Sequence, residues 1–248
     1  MRKFIAANWK MNGLLDDSIS LVTDISNYLE KNDTHAADVL VCPPFPLISS
    51  IKPFCNANNL YVGSQDCHSE LKGAHTGDTS PDLLSHLGCS HVIVGHSERR
   101  ANHLESNEIV NKKALNAINC QLVPIICIGE TQDQRNSNQT EKVLKEQIFG
   151  SVPDIASLKD IIVAYEPVWA IGTGLTPSME QIFDTHAYIR ETLLSIGIKD
   201  TAILYGGSVK SSNSVEILSL QGVDGALVGG ASLILDDFLK IIESALVI

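Results

Sequence analysis

The run IIVAYE, residues 161–166, places five apolar or aromatic residues in succession and closes on an acid, with Pro167 directly behind it. A strand with one wet face alternates apolar and polar residues. A run that is apolar at every position belongs to a strand buried on both faces, as in a parallel sheet covered by helices. Seven further runs of this kind flank it: KFIAAN (3–8), ADVLVC (37–42), NLYVGS (59–64), HVIVG (91–95), LVPIIC (122–127), TAILYG (201–206) and DGALVG (224–229). They recur about 32 residues apart, the size of a strand–helix unit. Helix-like stretches occupy the intervals, among them 17–31 and 106–120. The second is expected to bury Ile109, Leu115 and Ile118 and to turn Glu108, Lys112 and Lys113 elsewhere. Eight such units within 248 residues predict a single-domain (β/α)8 barrel over residues 1–248. A doubly wound sheet is the other way to arrange them. Its dinucleotide-binding form carries a G-x-G-x-x-G after the first strand, and NWKMNG (8–13) has none.

Composition narrows the partners. With 44% hydrophobic and 19% charged residues the chain is of ordinary globular make-up, and its formal charge of −11 disfavours a nucleic-acid footprint, which needs clustered Lys and Arg. Six cysteines, at 42, 55, 67, 89, 120 and 127, include no C-x-x-C, so neither a zinc ribbon nor a thioredoxin-type site is expected. Cys42 and Cys127 sit in apolar runs and read as small buried hydrophobes. The apolar N-terminal stretch breaks at Asn8 and Lys10, too early for a signal peptide, and GALVGGASLIL (225–235) is too short to span a bilayer. The expectation is a cytoplasmic protein with neither membrane nor nucleic acid as partner.

In a barrel all eight strand ends open on one face, where the loops carry the chemistry. The exits here are Asn8-Trp9-Lys10, Gly95-His96-Ser97-Glu98, Glu166-Pro167-Val168-Trp169, Gly206-Gly207-Ser208 and Gly229-Gly230. A carboxylate, an imidazole and an ammonium converging on one pocket would supply a base, a proton donor and a cation. Glu166 closes an apolar run, and desolvation strengthens a carboxylate as a base. The Gly-Gly turns after the last two runs allow backbone N–H groups to approach an anion closely. Pro167 to Thr176 reads as a lid, with an apolar tip at Ala170 and Ile171 between a rigid entry and two glycines. The H-x-E at 96–98 lacks the P-C-x-x-C of zinc deaminases, and GTGLTP (172–177) is not a dinucleotide fingerprint. No metal site is expected.

NWKMN (8–12), VIVGHSERR (92–100), PIICIGE (124–130), AYEPVWAIGTG (164–174), YGGSV (205–209) and GALVGGASL (225–233) closely resemble the triosephosphate isomerase family, from the first strand to the final helix. The resemblance implies an aldose–ketose isomerase that interconverts dihydroxyacetone phosphate and glyceraldehyde 3-phosphate through an enediol(ate), in glycolysis and gluconeogenesis, without a cofactor. By position, Glu166 corresponds to the base and His96 to the group polarising the carbonyl, with Lys10 and Asn8 in support and Ser97 and Glu98 as neighbours that organise them. Gly172, Ser208, Gly229 and Gly230 correspond to the phosphate site. The lid corresponds to Pro167, Val168, Trp169, Ala170, Ile171, Gly172, Thr173, Gly174, Leu175 and Thr176, latched by Tyr205 and Ser208. GAHTGD (73–78), with His75 and Thr76, corresponds to an inter-subunit loop and implies a homodimer. The sequence departs from the family's habit at Leu175, where Lys is usual, and at His75, where Phe is frequent. Two other functions fit such a barrel: a Schiff-base aldolase using Lys10, and a phosphosugar-binding barrel without catalysis.

Overall fold

The computed structural model describes residues 2–154, 161–171 and 175–248. Its elements alternate: β1 (Lys3–Asn8), α1 (Leu15–Lys31), β2 (Ala37–Cys42), α2 (Ile48–Ile51), β3 (Leu60–Ser64), α3 (Pro81–His86), β4 (His91–Val94), α4 (Ser97–Asn102), α5 (Asn107–Asn119), β5 (Val123–Ile128), α6 (Gln132–Asn136), α7 (Thr140–Ser151), β6 (Ile162–Tyr165), α8 (Met179–Ser195), β7 (Ala202–Tyr205), α9 (Ser214–Leu218), β8 (Gly225–Val228) and α10 (Leu235–Leu246). The strands follow one another in a closed parallel barrel, and β1 pairs with both β2 (Ala7 opposite Val41) and β8 (Ile5 opposite Ala226). All eight runs read from the sequence are strands. The barrel replaces the doubly wound alternative because closure leaves no sheet edge.

Closure also explains why the runs are apolar throughout. Successive residues point to opposite faces: Phe4 and Ala6 enter the barrel interior with Leu40, Ile93, Ile125, Ala164 and Leu204. Ile5 and Ala7 face the helices with Val39, Val92, Ile126 and Val163. Both faces are dry, so both select apolar residues at nearly every position. Helix starts are set locally. Ser80, Ser106 and Ser178 each accept an N–H of the first turn, and Ser178 with Gln181 closes a reciprocal capping box. Cys42 and Cys127 are fully buried, and burial pushes both thiols well above their ordinary pKa. Among the described residues no helix is long and apolar enough to cross a membrane.

The face of α5 differs from the reading made on the sequence. Its buried stripe is Val110, Ala114, Ala117 and Ile118, while Ile109 is 38% exposed and Leu115 half-buried. Lys113, expected to face outward, falls on the buried stripe and is 4% exposed. It is admitted there because Asp66 and Glu105 meet its ammonium at 2.7 and 2.6 Å. Hydrophobicity along one helix does not reveal that two acids wait on the other side.

Two buried histidines predict how the fold responds to acid. Burial lowers His91 from 6.5 to about 4; it also lowers His186 to about 4, against an opposing hydrogen bond to the Gly222 carbonyl. Both are neutral in the fold and protonate near 6.5 once unfolded. Their stabilising effect is therefore complete above about pH 6.5 and is lost as pH falls towards 4, by roughly 3 kcal/mol for each. His96, whose pKa is raised, acts with the opposite sign. The contribution of His91 is isolated by comparing urea midpoints of the wild type and His91→Phe between pH 7 and 4.5. The variant is expected to lose markedly less stability on acidification, and parallel curves would refute the assignment.

Candidate active site

The strand ends converge on a cavity of about 440 Å³ whose lining includes Asn8, Lys10, His96, Glu166, Ser208, Gly229 and Gly230. Each residue arrives there by local geometry. Lys10 has φ +53, the left-handed region that a non-glycine residue adopts at a cost. The conformation is held from both sides: Lys10 N–H donates to Asn8 Oδ1 at 3.0 Å, and Gln65 Nε2 donates to Lys10 O at 2.8 Å. The lysine Nζ then reaches Glu98 Oε1 at 2.5 Å. His96 caps α4, its Nδ1 accepting the Glu98 N–H at 3.2 Å, which places the ring proton on Nε2. That Nε2 lies 2.9 Å from Glu166 Oε1, and Glu166 Oε2 accepts the Ser97 N–H at 2.8 Å.

Glu166 is 2% exposed. Burial pushes its pKa up, but His96, the Ser97 N–H and Lys10 outweigh burial and hold it below the ordinary carboxylate value. At His96 burial works against an imidazolium and the Glu166 carboxylate for it, and the carboxylate prevails, raising the pKa. One contact thus makes the acid a weaker base and the imidazole a weaker acid. The path of Glu166 is also confined, since a Cβ at Gly129 would stand 1.7 Å from the Glu166 carbonyl oxygen. Gly129 was not singled out on the sequence, and its signal is only a glycine between an apolar strand and an acid.

Glu130, at the end of PIICIGE, is a second residue whose role the sequence does not announce. Fully buried, its Oε1 accepts from Arg135 (2.8 Å), Tyr165 Oη (3.1 Å) and Trp169 Nε1 (3.0 Å), while its carbonyl accepts the Val168 N–H at 3.1 Å. It therefore ties down the entry of the segment read as a lid. Its signal was the one that marked Glu166, an acid closing an apolar strand. Pro167 to Ile171 forms a tight turn with Ala170 buried, and Ile171 lines the cavity, whereas Leu175 and Thr176 are exposed. Gly172, Thr173 and Gly174 lie outside the described residues. Tyr205 is buried with its hydroxyl unpartnered among the described residues, and Gly207 leaves room for it, a Cβ there standing 2.2 Å from the oxygen.

His75 and Thr76 are not part of this cavity. They lie on an exposed loop where the His75 ring packs on His68 with centroids 3.9 Å apart. His68, His75 and Asp78 form the cluster among the described residues with metal-ligand spacing. His68 Nδ1, however, accepts the Glu70 N–H at 3.0 Å. That contact leaves the proton on Nε2, the atom 3.7 Å from Asp78, so His68 does not present a ring nitrogen suited to a metal.

The family model described as triosephosphate isomerase matches residues 3–245. Similar proteins include the triosephosphate isomerase of Jannaschia sp., 48% identical over 246 residues and covering 98% of both chains. That of Bradyrhizobium diazoefficiens is 46% identical over 250 residues, covering 97% of this chain and 96% of its own. Among solved structures, triosephosphate isomerase from Bartonella henselae superposes with a TM-score of 0.89 at 41% identity, covering 98% of this chain and 99% of that one.

Proposed function

Because the chain belongs to the triosephosphate isomerase family and interconverts dihydroxyacetone phosphate with glyceraldehyde 3-phosphate, we propose that Glu166 is the base that carries the proton between the two carbons. The observation that carries this reading is the buried contact of Glu166 with His96 and Ser97 inside the cavity. Removing a proton beside a carbonyl creates an enediolate, which requires donors where its charge develops. His96 Nε2–H supplies one, and the ammonium of Lys10 another. When Glu166 turns from His96 to the substrate carbon it leaves the two donors that held its pKa down, while burial persists, so it becomes the stronger base. His96 loses the larger of the two carboxylate contributions that raised its pKa, leaving burial and Lys10 to favour the neutral imidazole against Glu98. A neutral donor is better matched to the enediolate than an imidazolium.

In this reading Asn8 fixes Lys10, Glu98 orients its ammonium, and Gly172, Ser208, Gly229 and Gly230 hold the phosphate. Residues 167–176 close over the site, latched by Tyr205 and Ser208, and exclude water from an intermediate that otherwise eliminates phosphate. The test is a coupled assay, glyceraldehyde 3-phosphate in and dihydroxyacetone phosphate detected. Absence of turnover would overturn the reading. Aldolase chemistry is not favoured, since the Lys10 ammonium is ion-paired with Glu98 whereas a Schiff base needs a free amine; borohydride with substrate is expected to trap no adduct. A barrel that only binds phosphosugars has no use for a buried base.

We further propose that the protein is a cytoplasmic homodimer. Met11 is 96% exposed, Leu14 74% and Leu104 81%, apolar surface that a second copy would cover together with the loop of His75 and Thr76. The six cysteines are free, as suits a reducing compartment. Sedimentation is expected to return twice the chain mass, and a fully active monomer would contradict the dimer.

A further inference from the structure

The charged side chains that line the cavity are Lys10, His96, Glu166, Lys210 and Asp237. Most are already engaged. Lys10 is paired with Glu98, Glu166 rests on His96 and Ser97, and Asp237 accepts from Ser211 Oγ at 2.7 Å. Lys210 is exposed, and its ammonium forms no ion pair among the described residues. The backbone that carries it is nevertheless clamped. Lys210 N–H donates to Asn213 Oδ1 at 2.8 Å, Asn213 Nδ2 donates to Ser208 O at 3.1 Å, and Lys210 O accepts from the N–H groups of Asn213 and Ser214. An uncommitted cation is thus held on a rigid base two residues beyond Ser208, at the rim of the cavity.

Its surroundings make that charge consequential. The chain carries −11, and without Lys210 the acids that line the cavity, Glu166 and Asp237, outnumber Lys10 two to one, with Lys10 itself paired to Glu98. Such a field repels a phosphate dianion, and attraction must come from a charge at the mouth. We propose that Lys210 is the residue that captures triose phosphates from solution, selecting dianionic substrates by drawing the phosphate to the cavity before the backbone amides take it over. It acts on association and not on the proton transfers. This inference rests on the isomerase reading and adds to it a specificity determinant.

The experiment measures kcat/KM for glyceraldehyde 3-phosphate in wild type, Lys210→Gln, Lys210→Glu and Lys210→Arg, from low to physiological ionic strength. The position is exposed, so the variants are expected to fold. At low salt Lys210→Gln should lose about three- to tenfold in kcat/KM and Lys210→Glu more, with kcat within twofold and Lys210→Arg close to wild type. The gap should narrow as salt shortens the screening length to about 8 Å at 0.15 M, and the loss should be absent with unphosphorylated glyceraldehyde. Equal kcat/KM at low salt, a loss indifferent to salt, or an equal loss with glyceraldehyde each overturns the role of Lys210. If the wild type fails to turn over glyceraldehyde 3-phosphate, the isomerase reading falls and this inference with it, a result distinct from active variants that match an active wild type.

Discussion

Glu166→Gln lowers kcat by about two to four orders of magnitude, the usual contribution of a positioned general base, with KM changed far less. Gln keeps the shape of the buried side chain and so preserves packing around a residue that is 2% exposed. It cannot accept the proton. Its amide also turns an N–H2 towards a neighbourhood of donors, because one oxygen of Glu166 faces His96 Nε2 and the other the Ser97 N–H. One of those contacts is lost whichever way the amide is oriented. The turns at Gly206–Ser208 and Gly229–Gly230, which we propose hold the phosphate, keep their sequence, which is why the loss falls on kcat. Steady-state kinetics give the split, and exchange of solvent deuterium into dihydroxyacetone phosphate reports the base directly. A variant with kcat within tenfold of wild type, or one that still exchanges, would remove Glu166 from the role of base.

Lys113→Met destabilises the fold by about 3–5 kcal/mol, the cost of breaking a buried charge group by removing one partner. Lys113 Nζ lies 2.7 Å from Asp66 and 2.6 Å from Glu105, and Arg99 lies 2.9 and 2.6 Å from the same two acids. Two cations thus balance two carboxylates. Methionine fills the space of the lysine stem but leaves both acids to Arg99 alone. Burial already raises Asp66 despite Lys113, whereas at Glu105 the bonds from Lys113 and Arg99 overcome burial and lower its pKa. Without Lys113 both acids move upward and take protons more readily as pH falls. The destabilisation is therefore expected to be largest near pH 8 and to shrink towards pH 5. Urea titrations at the two pH values check this. Asp66→Asn in the Lys113→Met background should recover part of the loss; a pH-independent loss, or no recovery, would mean that lost packing and not lost charge balance is responsible.

The two cases differ in how far the sequence announced them. Glu166 was legible because one segment contains both its signals, an apolar run and an acid at its end. The same holds for Asn8, which ends β1, and for Lys10 and His96, each two residues beyond a strand. The role of Glu130 was not legible, since only the fold shows that Trp169, Tyr165 and Arg135 gather on it. Lys113 was misread outright: the helical period was right, but the stripe was chosen by hydrophobicity, and a lysine is admitted to a buried stripe only when its counter-charges are already there.

The sequence by itself determined the alternation of eight strands with helices, the dryness of both strand faces and the set of polar residues at the strand exits. Those properties depend on neighbours a few positions apart, whose side-chain directions follow from strand and helix geometry. Only the tertiary structure decided which of those groups touch. Ser97 meets Glu166 across 69 residues and Lys113 meets Asp66 across 47, and both contacts exist because barrel closure sets the register of distant strands. Burial then sets the strength of each charge, so the pairing of Glu166 with His96 and Ser97 and the buried ion group around Lys113 arise from closure and not from any local run of residues.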